Sequence, residues 1–108
     1  MNKKNRLKKK RDFEDVFKKG RAVKGSFLFI KYKKNELEIP RFGFVVSIKV
    51  AGKAVERNKI RRILSEAVRD KIDGLGGYDI IVFVAKQITT ATRESIVEDF
   101  IGVLNKIQ

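Results

Sequence analysis

Histidine, cysteine and tryptophan do not occur among the 108 residues of this chain, and proline and methionine occur once each. Without cysteine there is no disulfide framework and no thiol nucleophile. Without histidine there is no imidazole base, and without either there is no ordinary structural zinc site. Long apolar runs are missing as well. The longest, Ile80 to Ala85, is far short of the roughly 20 residues that cross a bilayer. The N-terminus is basic but has neither the apolar stretch nor the small-residue cleavage site of a signal peptide. The expectation is a soluble cytoplasmic chain with no membrane partner. Acidic residues are the other scarcity: 13 Asp and Glu face 26 Lys and Arg, for a net charge of +13. A domain that basic calls for a polyanion, either nucleic acid or an anionic surface.

The excess charge is confined to two segments. Residues 1–25 hold 11 basic and three acidic side chains, and residues 49–71 hold eight basic and three acidic ones. The rest of the chain carries equal numbers of each sign and sums to zero. Solubilisation alone requires neither clustering nor the arginine bias of the second segment.

The elements follow from periodicity. Residues 1–11 read as a flexible basic arm with Leu7 as its only internal apolar residue. Asp12 is placed to cap a short helix bearing Phe13, Val16 and Phe17, which Gly20 ends. Residues 26–33 read as a strand, residues 35–40 as a turn, and residues 41–48 as a second strand with Phe42, Phe44, Val46 and Ile48 on one face. From Ala54 the period changes: Ile60, Ile63, Leu64, Ala67 and Val68 form the buried stripe of a helix running to about Ile72. Residues 79–85 are apolar on both faces, the pattern of a central strand. Thr92 then caps a last helix whose stripe is Ile96, Val97, Phe100, Ile101, Leu104 and Ile107. The order is helix, strand, strand, helix, strand, helix, with room for one further short strand near Val23. One domain, residues 1–108, accommodates all of it.

Opposite the buried stripe, the second helix presents Arg57, Asn58, Arg61, Arg62, Ser65 and Arg69. Like charges four residues apart destabilise an isolated helix by about 0.2–0.5 kcal/mol per pair. Stacking them there makes physical sense when phosphates neutralise them, and the planar guanidinium binds phosphate oxygens bidentately. Gly52 and Lys53 add close backbone approach and a helix N-terminus that attracts anions.

The stretch from Gly52 through Arg57-Asn58-Lys59-Ile60-Arg61-Arg62 to Glu66 and Arg69 resembles the signature of the bacterial ribonuclease P protein component. The resemblance extends to Arg6-Leu7, Arg11-Asp12-Phe13, Val16-Phe17 and Gly20, to residues 41–47, and to Gly77-Tyr78-Asp79-Ile80-Ile81-Val82. These blocks keep the family's order and spacing over essentially the whole chain. It implies an α+β fold: a small α/β sandwich, similar to RNA-binding ribosomal proteins, in which helices pack a mixed β-sheet and a left-handed βαβ crossover carries the signature helix. It further implies the protein subunit of an endoribonuclease that removes the 5′ leader of precursor tRNA. In that family the RNA subunit, with bound Mg²⁺, performs the hydrolysis and the protein alone is inactive. No cofactor held by protein side chains alone and no obligatory protein partner is then expected.

Carried over residue by residue, the resemblance assigns Lys53, Arg57, Asn58, Lys59, Arg61, Arg62 and Arg69 to contacts with the RNA subunit. Phe13 and Phe17 match aromatics of the cleft that receives the single-stranded leader, and Phe27 and Phe29 alternate onto one strand face as further candidates. After Ser47 the family commonly has two consecutive basic residues, where this chain has Ile48-Lys49. The leader's phosphate grip therefore falls on Lys49, Lys53 and Lys86. Two competing readings share the composition. A structural RNA-binding protein would share the basic helix without needing the Phe13/Phe17 pair. A self-sufficient nuclease would gather Asp70, Asp73 and Asp79 around Mg²⁺.

Overall fold

In the computed structural model, which describes residues 1–107, the elements run α1 (Lys10–Lys19), β1 (Arg21–Lys24), β2 (Leu28–Lys34), β3 (Arg41–Val45), α2 (Ala54–Lys71), β4 (Tyr78–Val84) and α3 (Arg93–Leu104). The strands form one mixed sheet in the spatial order β1-β2-β4-β3. β2 is antiparallel to both β1 and β4, whereas β3 and β4 are parallel. A parallel pair cannot be joined by a tight turn, and α2 makes the crossover. β1 is the additional strand around Val23.

Alternation along the strands divides the sheet's two faces. Leu28, Ile30 and Tyr32 of β2 and Ile80, Val82 and Val84 of β4 face α2 and α3. α2 contributes the expected stripe of Ile60, Ile63, Leu64, Ala67 and Val68, and α3 contributes Ile96, Phe100, Val103 and Leu104. Each buried Leu or Ile of this layer contributes about 1.5–3 kcal/mol of transfer free energy. Truncating Leu64, which is fully buried, should cost about 2–5 kcal/mol. The opposite face is covered by α1 and the arm before it, through a small cluster of Leu7, Val16 and Ile81 with Phe13 and Phe83 at its border. α3 starts as expected at Thr92, whose hydroxyl accepts from the Ser95 N–H while the Ser95 hydroxyl accepts from the Thr92 N–H.

Three local expectations are corrected. Asp12 does not cap α1. The helix begins three residues earlier with Lys9 at the cap position, and Asp12 lies in its first turn, where its carboxylate meets Arg41 of β3 at 3.5 Å. The second strand stops at Val45 because the backbone turns there: the Val50 and Ala51 N–H groups both donate to the Ser47 carbonyl. Ile48 is consequently 72 % exposed instead of facing the core. The N-terminal arm is tied down along the outer edge of β3. Asn5 is buried and donates to the Pro40 carbonyl at 2.8 Å, the Leu7 N–H donates to the Phe42 carbonyl at 2.8 Å, and Leu7 enters the small core. An edge strand with unpaired backbone groups is a template for such an addition.

Candidate nucleic-acid interface

The cations of the α2 ribbon point to solvent without salt-bridge partners among the described residues. Its apolar stripe is packed against the sheet and α3, so the opposite side of the helix faces solvent. Asn58, Lys59, Arg62 and Arg69 are exposed, as is Lys53 just before the helix, while Arg57 and Arg61 are half-buried. Among the described residues none of these cations takes part in a salt bridge. The one paired carboxylate of α2 is Glu66, and its partner is Arg93 of α3. That guanidinium, through its hydrogen bond, holds the Glu66 carboxyl below its ordinary value. Two arginines have structural contacts of their own. Arg57 donates to the Ala51 and Gly52 carbonyls at 2.9 and 3.0 Å, which pins the loop entering the helix. Arg61 donates to the Asn58 side-chain oxygen at 3.2 Å and orients that amide. At 1.5 Å rise per residue the ribbon from Arg57 to Arg69 extends about 18 Å.

The sheet face beneath α1 is organised in three rows, given by the strand register. The first row is Lys33, Asp79 and Arg41. Asp79 is buried and accepts from Arg41 through both carboxylate oxygens at 2.8 and 2.7 Å, with Asn35 as a third donor at 2.9 Å. Lys33 reaches up to Asp15 of α1, which Lys19 also approaches. The Lys33 hydrogen bond, followed by that of Lys19, lowers the Asp15 pKa from its ordinary value. The second row is Lys31, Ile81 and Gly43. Here α1 sits closest: a side chain at position 43 would run into the ring of Phe13, so glycine is what lets that ring lie on the strand. The third row is Phe29, Phe83 and Val45, and it is left partly open.

That open row is an apolar shelf across three strands. Phe29 and Phe83 stack with centroids 4.7 Å apart and planes at 10°, and Phe17 of α1 stands edge-on to Phe83 at 6.1 Å. Phe17 is 53 % exposed and Val45 is 38 % exposed. Lys49 follows the C-terminal end of β3 and Lys86 that of β4, and both are exposed at this end of the sheet. The loop after β3 leads directly into the N-terminus of α2, so the shelf and the start of the basic ribbon share one end of the molecule.

Phe17 and Phe29 thus stand together, with Phe13 beside them and largely occupied by its contact with Gly43. Phe27 does not join them. The chain breaks from strand geometry at Gly25-Ser26, and the Asp99 carboxylate of α3 accepts from the Ser26 and Phe27 N–H groups at 2.7 and 2.9 Å. Phe27 is thereby turned to the opposite sheet face, where it packs against the larger core. Alternation by two applies only within a continuous strand, and β2 begins one residue later. Phe83, Val45 and Lys31 were missed. Residues 79–85 read as a strand covered on both faces, and nothing local reveals that α1 ends before covering Phe83.

These residues offer cations to phosphate oxygens and aromatic faces to bases. Among the described residues no three carboxylates converge on a point that could hold a metal ion. Asp70 is exposed on α2, Asp73 is exposed in the 3-10 turn that follows, and Asp79 is engaged by Arg41. Asp12, Asp15 and Glu66 are likewise paired with cations. A magnesium ion therefore finds no fitting donor set in these side chains. No helix among the described residues is long and apolar enough to cross a membrane.

Comparison with known proteins accords with this geometry. The family model described as Ribonuclease P matches residues 1–108. The chain is 36 % identical over 107 residues to the ribonuclease P protein component of Syntrophomonas wolfei, covering 98 % of this chain and 89 % of the relative. It is 36 % identical over 104 residues to that of Fusobacterium nucleatum, covering 95 % and 93 %. Among solved structures, the Staphylococcus aureus RNase P protein superposes with a TM-score of 0.88 at 32 % identity, covering 94 % of this chain and 93 % of that one. The Thermotoga maritima RNase P protein, solved in complex with 1-(4-fluorophenyl)-2-thiourea, gives 0.87 at 30 % identity, covering 95 % and 100 %.

Proposed function

The chain belongs to the ribonuclease P protein family, and from that premise we propose that its two surfaces divide the work between an RNA partner and the tRNA precursor. A role in ribonuclease P, and so in tRNA processing with an RNA partner, comes with the family. The finer assignment is ours. The ribbon of Lys53, Arg57, Asn58, Lys59, Arg61, Arg62 and Arg69 grips the RNA subunit. The shelf of Phe17, Phe29 and Phe83, bordered by Phe13 and Val45, takes the 5′ leader of precursor tRNA, with Lys49 and Lys86 holding its phosphates.

The observation that carries this reading is the separation of the two features onto opposite layers of one sheet. Unpaired cations project from α2 on one side, and a partly open aromatic shelf lies on the other. A duplex or folded RNA presents phosphates, which cations bind without regard to sequence. A single strand also presents bases, and stacking on an aromatic side chain is worth about 1–3 kcal/mol per base. One rigid sheet can hold both at fixed separation, which positions the cleavage point relative to the RNA subunit.

Following the family resemblance, we assign the chemical step to the RNA subunit and its Mg²⁺; the lack of histidine and of a three-carboxylate cluster among the described residues is compatible with that assignment. We further place the complex in the cytoplasm, with no obligatory protein partner. The test is direct. Rigorously RNA-free protein should not cleave precursor tRNA, and adding its cognate RNA at low Mg²⁺ should produce cleavage at the mature 5′ end. Steady cleavage by the protein alone would refute the assignment.

A further inference from the structure

Lys31 occupies the second row of the sheet face, two residues along β2 from Phe29, and is half-buried. Its ammonium lies 4.0 Å from the centroid of the Phe17 ring and donates a 2.8 Å hydrogen bond to the Phe17 backbone carbonyl. Among the described residues it makes no salt bridge. The acidic side chains of α1 are committed elsewhere, Asp12 to Arg41, Glu14 to Lys10, and Asp15 to Lys19 and Lys33. A half-buried cation is therefore held by a π-face and a carbonyl, both weaker partners than an anion. The ring it covers is the exposed one at the margin of the shelf.

We propose that Lys31 is a displaceable cap on Phe17 that is handed over to a phosphate when single-stranded RNA enters. A base takes the ring face that the ammonium now covers, and the freed ammonium pairs with the phosphate beside that base. Both groups of one nucleotide are then read by two side chains already in contact, and neither side chain loses a partner in the exchange. The chemistry selects a single-stranded polynucleotide, since a free phosphate supplies no stack and a free base supplies no anion. This rests on the leader assignment above and adds to it a residue and an order of events.

The experiment uses the full chain assembled with its RNA subunit. Affinity for precursor tRNA with a leader and for tRNA lacking one is measured over a series of salt concentrations, for the unaltered protein, Lys31→Met, Lys31→Arg and Phe17→Leu, with the melting temperature of each. Lys31→Met should weaken leader-dependent binding about 10-fold. It should also flatten the slope of log affinity against log salt by about 0.7, the loss of one single-strand phosphate contact. Leaderless tRNA should bind as before, and Lys31→Arg should retain the slope. If Phe17→Leu weakens leader-dependent binding while Lys31→Met alters neither affinity nor slope, the cap is overturned and the leader assignment stands. Tighter binding by Lys31→Met would show that the ammonium only obstructs the ring, which also overturns the exchange. If neither substitution has a leader-dependent effect, the leader assignment itself fails and the cap falls with it.

Discussion

Replacing Phe17 with alanine separates a binding residue from a core residue by magnitude. Phe17 keeps 53 % of its surface exposed, so roughly half of the 1.5–3 kcal/mol from full burial is at stake. The edge contact with Phe83 and the Lys31 ammonium add about 0.5–1 kcal/mol each. The expected loss of stability is about 2–3.5 kcal/mol, or about 10–15 °C in melting temperature for a domain of this size. Truncating a fully buried phenylalanine costs about 3–5 kcal/mol, and Phe42→Ala, at 1 % exposure, supplies that comparison in the same fold. The functional effect should differ in kind. Loss of a base stack of about 1–3 kcal/mol weakens precursor binding about 5- to 150-fold, and the penalty should vanish for tRNA without a leader. The assay combines thermal melts with affinities for both RNAs in the assembled complex. A stability loss matching that of Phe42→Ala, with equal effects on both RNAs, would return Phe17 to the core and refute the argument.

Arg62 is exposed on α2 without a salt bridge, so Arg62→Ala should change folding stability by less than about 0.5 kcal/mol. Affinity for the RNA subunit should nevertheless fall by about 1.5–3 kcal/mol; equal affinity in a filter-binding titration would remove Arg62 from the interface. Gly43→Ala pushes a methyl group into the Phe13 ring. It should cost about 1–3 kcal/mol by overpacking and shift the Phe13 ring resonances; an unchanged urea midpoint would contradict the contact. Acid should weaken the fold through Asp15 and Glu66, whose folded-state pKa values are lowered by Lys33 and Arg93 respectively. Their contribution is complete above the ordinary carboxylate range and is lost as pH falls through the lowered folded-state values. Urea midpoints from neutral pH downward should therefore decline less steeply in an Asp15→Asn, Glu66→Gln double variant, and an identical decline would show that these pairs do not couple to folding.

What was legible locally is what depends on neighbours within a few residues. The three- and four-residue spacing of Ile60, Ile63, Leu64, Ala67 and Val68 requires a buried helix face whatever it packs against, and that stripe forms one side of the core. The apolar run of residues 80–85 likewise announces a central strand, and β4 lies between β2 and β3. The cations of α2 stand out because no equal number of carboxylates accompanies them in the same segment. The signature blocks led to the family for a related reason: they depend on residue type and spacing along the chain.

Apart from the early end of β3, which a local turn at Ser47 imposes, the misreadings concern groups whose partners lie far away in sequence. Asp12 is drawn to Arg41 instead of serving as a cap, and Phe27 is turned away from Phe29 by the carboxylate of Asp99, 72 residues on. The basic arm finds the open edge of β3, which no local pattern in residues 1–11 could reveal. Phe83 joins the shelf because α1 stops short of the third row, a consequence of packing geometry. The same holds for charge. Composition determined the net +13 and its confinement to two segments, but only the tertiary structure decided which cations remain available. Lys33, Arg41 and Arg93 are neutralised by Asp15, Asp79 and Glu66 brought to them by folding, whereas Arg57, Lys59, Arg61, Arg62 and Arg69 of α2 form no salt bridge among the described residues. Coulomb energy falls off with distance through space and takes no account of separation along the chain.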